Sequence, residues 1–264
     1  MKRWVAVALM VLANVALADE KEGWEVHDRK RPQPPVVTPG EPSTQEKAGK
    51  PPSDAIVLFD GGSLSNWKKE DGSEAKWKVE NDYIETVKGT GNIQSKEEFG
   101  DVQVHVEWMT PKGTEGKDQH RGNSGVFLMG QYEIQVLDNR GSETYADGTA
   151  GGAYGQYPPQ ANALREQGEW QTYDIVFHPP KYSAEGMKEP ARVTAFVNGV
   201  LTLDDVKLLG PTQHAVLTSY PPTHPAKGPI GLQDHGAPVR FRNIWVRELK
   251  DAPVPPVKSS TEKH

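Results

Sequence analysis

Residues 191–203 read Ala-Arg-Val-Thr-Ala-Phe-Val-Asn-Gly-Val-Leu-Thr-Leu, and this stretch carries the clearest local signal in the chain. Two runs rich in β-branched and aromatic residues flank the dipeptide Asn198-Gly199. Asn-Gly accepts positive φ angles at both central positions of a type I′ turn, whose twist matches that of paired antiparallel strands. The stretch therefore predicts a β-hairpin that turns at residues 198–199.

Similar short runs recur along the chain, whereas long stretches with helical periodicity are missing. Runs rich in Val, Ile, Tyr, Phe and Trp are cut by Gly, Pro, Asn and Asp, which is typical of strands joined by turns. The main ones are residues 56–59, 77–87, 102–109, 170–178, 230–233 and 239–249. About ten to twelve such strands predict an all-β fold, a two-sheet jelly-roll sandwich with one concave face open to a ligand. The one candidate helix is residues 160–168, after Pro158-Pro159.

The first residues have the pattern of a secretory signal peptide. Lys2 and Arg3 precede an apolar run at residues 4–12, and Ala16-Leu17-Ala18 is a small-x-small cleavage site. The apolar run is too short to span a membrane. We therefore expect residues 1–18 to be removed, and the protein to be secreted or periplasmic, without membrane insertion.

Proline-rich segments border the predicted folded domain. Residues 19–52 and 251–264 have little apolar surface to offset the entropy cost of ordering, so they are predicted to be a disordered linker and a disordered tail. Residues 53–250 are predicted to form a single domain.

Composition excludes several classes of protein and site. The chain has no cysteine and a formal net charge of −6, so neither a disulfide framework nor binding to the phosphates of nucleic acid is expected. No His pair with a Glu at helical spacing and no calcium loop of alternating Asp or Asn is present, so no catalytic metal or other cofactor is expected. A structural calcium ion held by loop carboxylates stays open, and the oligomeric state is not predicted.

A serine nucleophile is not predicted either. Asn123-Ser124-Gly125 lacks the G-x-S-x-G pattern, and a sandwich offers no strand-to-helix turn that would expose the serine. Ser124 is interpreted as a turn residue.

Residues 121–138 place polar groups at alternate positions of a strand. Tyr132, Ile134 and Val136 point to one face, and Glu133 and Gln135 to the other. A rigid strand displaying Glu and Gln side by side can position hydrogen bonds to a sugar. The alternative is a solvated outer face with no function.

Other polar positions fit the same interpretation. His105 and Glu107 share the polar face of residues 102–109, while Gln233-Asp234-His235 follows a strand at the edge of a turn. Tyrosines in Gly- and Pro-rich loops can stack on sugar rings; these are Tyr145, Tyr154, Tyr157 and Tyr220. Each residue also has a structural explanation, because buried amides satisfy backbone groups and loop tyrosines cover cores.

Several blocks of the sequence, in order, resemble the 3-keto-disaccharide hydrolase domain family. They are residues 58–64 with Trp67, then 107–108, 123–127, 132–136, 152–154, 228–236 and 241–244. The resemblance implies a concanavalin A-like lectin/glucanase sandwich that acts on glycosides already oxidised at C3, with an oligosaccharide or glycoside as substrate.

The chemistry of such a substrate suits the residues present. Ordinary glycosidases need two carboxyl groups across the scissile bond, whereas the strand face here carries Glu133 and then Gln135. A 3-keto group acidifies the C2 proton, so a base can start an elimination that expels the glycosidic oxygen, and water then adds.

We accordingly expect Glu133 and His235 to be the catalytic base and acid, with the order of the two roles open. The expected substrate-binding residues are Glu107, Arg121, Asn123, Gln135, Tyr154 and Gln233. The alternative function is a non-catalytic, lectin-like carbohydrate-binding module that uses the same tyrosines and amides.

Overall fold

A computed structural model describes residues 26–250 of the protein. The predicted signal peptide and the C-terminal tail lie outside the described residues, and so does the first part of the predicted linker. Residues 26–35 contain a turn in which Arg31 N donates to Asp28 O at 3.2 Å. The rest is a compact unit, Val36–Lys250.

Strands and turns dominate the described chain, with two single-turn 3₁₀ helices, Asp118–His120 and Ala146–Gly148. The strands are β1 Ile56–Phe59, β2 Trp67–Lys69, β3 Lys78–Glu80, β4 Tyr83–Glu85, β5 Ile93–Phe99, β6 Val102–Met109, β7 Ser124–Leu128, β8 Tyr132–Val136, β9 Gln171–His178, β10 Lys181–Ser183, β11 Gly186–Glu189, β12 Arg192–Val197, β13 Val200–Lys207, β14 Thr212–Gln213, β15 Val216–Leu217, β16 Gly228–Leu232 and β17 Arg240–Glu248.

Two antiparallel sheets form the sandwich, which confirms the predicted fold class. The eight-stranded sheet runs β13-β12-β9-β6-β17-β4-β3, with β1 also paired to β17. The five-stranded sheet runs β2-β5-β16-β7-β8. Two short hairpins, β10-β11 and β14-β15, complete the strands.

One apolar core holds the two sheets together. Every second residue of the central strands points inward, as the alternation in the sequence predicts. Val104, Val106 and Ile175 of the larger sheet join Val126 and Ile134 of the smaller sheet in one buried cluster. The opposite faces of both sheets are left for polar residues, and the active-site candidates lie on one of them.

The hairpin predicted at residues 198–199 is confirmed. Val197 pairs with Val200 around Asn198 and Gly199, whose φ angles are +51° and +79°. Strands β3 and β4 likewise pair around residues 81–82. The positive φ angles at the Asn-Gly turn are the type I′ requirement from which the hairpin was predicted.

The predicted helix at residues 160–168 is wrong, because this segment is irregular. Side chains from elsewhere satisfy the backbone groups that a helix would pair internally. Asn198 Nδ2 donates to Ala163 O at 2.8 Å, and Arg140 Nη1 donates to Leu164 O at 2.6 Å. Arg165 N donates to Gln171 Oε1 at 2.9 Å.

The compact unit begins at Val36, earlier than the predicted domain start at residue 53. Residues 36–52 are poor in apolar side chains, and hydrogen bonds order them instead. Glu41 and Lys50 pair through both backbone groups at 2.9 and 3.1 Å. Gln45 exchanges two hydrogen bonds with the backbone of Trp170, at 2.6 and 3.1 Å.

No helix in residues 26–250 is long and apolar enough to cross a membrane.

Candidate active site

A cleft made of three adjoining pockets crosses the outer face of the five-stranded sheet. The central pocket, of about 190 Å³, is lined by Asn123, Phe127, Glu133, Gln135, Tyr154, Thr212, Gln213, His214, Gln233 and His235. Six of the residues predicted from sequence are thus brought together, and they come from β7, β8, the residues after β16 and two loops. The polar face predicted for β8 is the floor of this pocket.

The two flanking pockets each have a volume of about 390 Å³, and their linings differ. The aromatic end is lined by Tyr145, Asp147, Tyr154, Gly155, Gln213, His214, Ala215, Val216 and Leu217. The charged end is lined by Lys88, Thr114, Glu115, His120, Asn123, His235, Gly236, Ala237 and Pro238. Each end shares residues with the central pocket, so the three form one continuous cleft.

Glu133 is the one carboxylic acid among the described residues that line the central pocket. It is 6% exposed, and it lies directly across from Phe127 on β7. Burial raises the pKa of its carboxyl group to about 8, with no hydrogen bond acting to lower it. A carboxyl group that titrates near neutrality can both accept and donate a proton under physiological conditions.

Gly125 makes room for this carboxyl group. The residue lies on β7 opposite Gln135. A Cβ atom at Gly125 would lie 2.9 Å from Glu133 Cδ and 2.9 Å from Phe127 Cε2, and it would overlap Glu133 Oε1. The absence of a side chain at position 125 is therefore a condition for the observed position of Glu133.

An amide network holds Gln135 beside Glu133. Gln135 Nε2 donates to Gln119 Oε1 at 3.0 Å and to Gly148 O at 3.2 Å. Asn123 Nδ2 donates to Gln119 O at 2.8 Å. The donors of both amides are thus used internally, and the buried Oε1 of Gln135 is left without a partner in the described chain.

A second unpartnered acceptor lines the same pocket. Gln233 Oε1 is also buried without a hydrogen bond among the described residues. The backbone of Gln233 is fixed, because its O accepts from Ser124 Oγ at 2.6 Å and its N donates to Gly125 O at 3.1 Å. Since a buried unpaired acceptor is costly, the two amide oxygens are suited to accept hydrogen bonds from ligand hydroxyl groups.

His235 lies at the mouth of the cleft, where the central pocket meets the charged end. Its side chain is exposed. The preceding Asp234 fixes the turn, since its carboxylate accepts from Gly91 N and Gly236 N, both at 3.0 Å. The turn therefore presents His235 to whatever occupies the cleft.

Tyr154 connects the central pocket to the aromatic end. Its hydroxyl group is hydrogen-bonded to Tyr145 Oη at 2.8 Å and to His214 Nδ1 at 3.1 Å. The backbone of Tyr154 is fixed by a hydrogen bond from its N to Glu133 O at 3.1 Å.

Arg121 does not line the cleft, contrary to the expectation that it binds substrate. Its guanidinium is bound to Asp138 through an ion pair at 3.1 Å and a hydrogen bond to Asp138 O at 2.9 Å. A further hydrogen bond goes to Arg140 O. These bonds fix the loop after β8, so Arg121 has a structural role.

Glu107 is also misplaced in the prediction, because it lies on β6 in the other sheet. Its carboxylate is fully buried and accepts hydrogen bonds from Arg242 Nε and Asn243 Nδ2, both at 2.7 Å, and from Ser43 Oγ. A bulge in β17, with φ of +46° at Asn243, lets two consecutive residues reach the same carboxylate. The alternation correctly predicts an outward face, but residues 43–45 cover it.

Opposing effects act on the pKa values in this cluster. Burial acts to raise the pKa of Glu107, but hydrogen bonds from His105, Ser43, Asn243 and Arg242 lower it to about 2. Burial acts to lower the pKa of His105, but Asp174 and Glu107 raise it to about 9. Around neutral pH the cluster therefore holds buried opposite charges.

Replacing Glu107 with alanine is expected to lower the free energy of unfolding by about 3–5 kcal/mol, because it leaves the Arg242 guanidinium buried without its counter-ion. Urea unfolding at pH 7 measures this loss. The double variant Glu107→Ala/Arg242→Met should recover part of it. A Glu107→Ala protein of wild-type stability that no longer binds sugar would contradict the structural role.

Three functional candidates were not found from the sequence. Gln119 orients both Asn123 and Gln135, and Thr212 and His214 line the central pocket. They belong to turn-rich segments without periodicity, so no pattern marks them.

Among residues 26–250 no group of three or more His, Asp or Glu side chains is placed to hold a metal ion, so the open possibility of calcium gains no support there.

An amide-rich cleft across one sheet of an all-β sandwich is suited to bind a polar ligand by hydrogen bonds. The chain belongs to the 3-keto-alpha-glucoside-1,2-lyase-like domain family, whose sequence profile matches residues 54–247. The family resemblance predicted from the sequence blocks is thereby confirmed.

Individual relatives agree with this assignment. The chain is 24% identical over 239 residues to a 3-keto-disaccharide hydrolase of Bacteroides thetaiotaomicron, covering 74% of this chain and 78% of the relative. A Parabacteroides distasonis structure described as a "putative glycosyl hydrolase" is 40% identical with a TM-score of 0.77, covering 91% of this chain and all of that one. A second structure from that organism, 20% identical with a TM-score of 0.56, covers 75% of this chain and 94% of its own and supports the fold. The domain is thus of the glycosyl hydrolase type.

Proposed function

We propose that this domain cleaves 3-keto-glycosides, including 3-keto-disaccharides, by elimination of the aglycone followed by addition of water. The observation that carries the proposal is Glu133, a single buried carboxyl group with a pKa of about 8 on the floor of the central pocket. The other carboxylates of the cleft, Asp147 and Glu115, line its two ends. A two-carboxylate mechanism is therefore not supported at the central pocket.

The proposed reaction needs one strong base and one proton donor. A base removes the proton from C2, next to the C3 carbonyl, and the electron pair forms the C1–C2 double bond as the C1–O bond breaks. The departing oxygen takes a proton and leaves as an alcohol. Water then adds across the double bond, with hydroxide to C1 and a proton to C2, giving the free 3-keto sugar.

We assign Glu133 as the base and His235 as the proton donor. A carboxylate with a raised pKa is a stronger base than an ordinary one, and burial keeps water from competing for the C2 proton. His235 lines the same central pocket, and its exposed side chain can take up a proton from solvent after each turnover. Gln135 and Gln233 offer unpartnered oxygens to sugar hydroxyl groups, and Asn123 and Tyr154 complete the wall.

The decisive experiment compares a 3-keto-glucoside with the same glucoside unoxidised. We expect release of the aglycone from the keto compound alone, with deuterium from D₂O appearing at C2 of the product at a rate far above an enzyme-free control. Replacing His235 with alanine should reduce release by about 10²-fold or more. Equal cleavage of the unoxidised glucoside would refute the keto-specific scheme, and binding without release would indicate a lectin-like module.

The rate should depend on pH with a sign set by the role of Glu133. A base works in its deprotonated form. In His235→Ala, where the proton donor adds no falling limb, kcat/KM is therefore expected to rise with pH and to level off above about 8, the pKa of Glu133 in the unliganded protein. Initial rates between pH 5.5 and 9.5 measure the profile. A fall above pH 8 would instead make Glu133 the proton donor.

We also propose that the enzyme is exported, on the signal-peptide pattern of residues 1–18. When the full-length chain is expressed, recovery of protein that lacks residues 1–18 from the periplasm or the medium would support this. Uncleaved protein in the cytoplasm would contradict it.

A further inference from the structure

Exposed apolar side chains collect at the aromatic end of the cleft. Tyr145, Val216 and Leu217 are 44%, 53% and 63% exposed, and all three line this one pocket. Single exposed apolar residues are ordinary on a protein surface, but several around one concavity mark a binding site. Val216 and Leu217 form the whole of strand β15.

The polar groups at this end are largely occupied by one another. The hydroxyl groups of Tyr145 and Tyr154 are hydrogen-bonded together at 2.8 Å, and Tyr154 is also bonded to His214. A second sugar ring would bring several hydroxyl groups that need partners. The aliphatic side chains on β15 provide none, so partners for such a ring are limited to Asp147, Gln213 and the atoms that Tyr145, Tyr154 and His214 do not use among themselves.

The aromatic end opens into the central pocket through Tyr154, Gln213 and His214, which line both. A group attached to a sugar at Glu133 can therefore reach the aromatic end. The opposite end presents Lys88, Glu115 and His120. The two ends of the cleft thus differ in chemistry, and they favour different parts of a substrate.

We infer that the aromatic end binds the leaving aglycone and selects a flat, apolar aromatic ring system over a second sugar; this inference rests on the proposed cleavage of 3-keto-glycosides. The pocket, at about 390 Å³, has room for two fused rings. Tyr145 contributes an aromatic surface, and Val216 and Leu217 cover the ring from the hairpin.

The test compares 3-keto-glucosides of phenol and of 2-naphthol, whose leaving groups are similar in acidity, with a 3-keto-disaccharide. Wild-type kcat/KM should favour naphthyl over phenyl about fivefold to tenfold, from the extra apolar area of the second ring. Leu217→Ser should remove this preference and lower the ratio of naphthyl to disaccharide kcat/KM by a similar factor. Lys88→Ala, at the charged end, is the matched control and should keep the naphthyl preference.

A binding measurement separates this inference from the proposed function. The unoxidised naphthyl and phenyl glucosides, in both anomers, are titrated against wild type and Leu217→Ser by calorimetry. Tighter naphthyl binding that Leu217→Ser abolishes supports the aglycone site even if no 3-keto-glucoside is cleaved. Equal binding of the two glucosides, or a naphthyl preference that persists in Leu217→Ser, overturns it even if cleavage occurs.

Discussion

Replacing Glu133 with glutamine is expected to reduce turnover of a 3-keto-glucoside by about 10³- to 10⁴-fold, the upper range for loss of a general base. Glutamine keeps the shape of the side chain but cannot accept the C2 proton. Because the shape of the pocket is kept, KM should change much less than kcat. Initial rates with aglycone detection measure both parameters.

The same substitution should also make the protein more stable than wild type at higher pH, because wild type loses stability there and the variant does not. The pKa of Glu133 is raised from its unfolded value of 4.5 to about 8, so the neutral acid is favoured in the folded protein. Its contribution to stability is fully present below pH 4.5 and is lost as pH rises through 8. Glutamine does not ionise, so the free energy of unfolding of Glu133→Gln should exceed that of wild type by about 4 kcal/mol at pH 8 and by little at pH 4.5.

Thermal unfolding of both proteins between pH 4.5 and 8.5 tests this second effect. A stability gap that does not change with pH would show that the pKa of Glu133 is ordinary. Gln135→Glu is a useful comparison, because it places an acid at the neighbouring position of the same face without restoring one at 133. Recovery of turnover in Glu133→Gln/Gln135→Glu would show that the position of the base is not strict.

The sequence predicts the placement of Glu133 and Gln135 well, because the alternation of side chains between the two faces of a strand is a local property. Alternation alone places Glu133 and Gln135 on one face and Ile134 in the core, and the structure agrees. The turn dipeptide at residues 198–199 is local in the same sense. The family blocks then bring in Asn123, Gln233 and His235 from other strands, which no periodicity could place beside β8.

The alternation of side chains does not predict what covers a face of a sheet, and this explains why Glu107 was wrongly predicted and Gln119 was missed. Glu107 points outward from β6 as predicted, yet the covering segment, residues 43–45, and a bulge in β17 bury it. Hydrogen bonds rather than apolar contacts order that segment, so its proline-rich composition resembles a linker. Gln119 was missed for a related reason, since its role depends on a turn that reaches across to β8.

The stability of the site and its chemistry therefore depend on different kinds of residue. The central pocket keeps a buried acid and two unpartnered amide oxygens, each of which costs free energy in the empty protein. In the other sheet, the buried acid Glu107 is matched by Arg242, Asn243 and Ser43. Among the described residues no hydrogen bond acts to lower the pKa of Glu133, and this distinguishes it from Glu107.

Gly125→Ala is expected to reduce kcat by at least about 10²-fold without replacing any group that takes part in the reaction. The new methyl group would lie 2.9 Å from Glu133 Cδ and would overlap Oε1. Since Phe127 Cε2 also lies 2.9 Å from it, the ring cannot simply remain in place while the carboxylate moves. The backbone φ at Gly125 is not positive, so alanine adds no backbone strain and the effect is steric.

Gly231→Ala is the matched control, on the adjacent strand β16. Its Cβ would meet Phe127 Cβ at 3.1 Å and no atom of Glu133 within 4 Å. Overpacking should destabilise both variants by about 1–3 kcal/mol, but only Gly125→Ala should also shift the pH profile, because it moves the Glu133 carboxyl group out of its buried position. Equal losses of kcat in the two variants would show that packing of the sheet, rather than the position of Glu133, limits the rate.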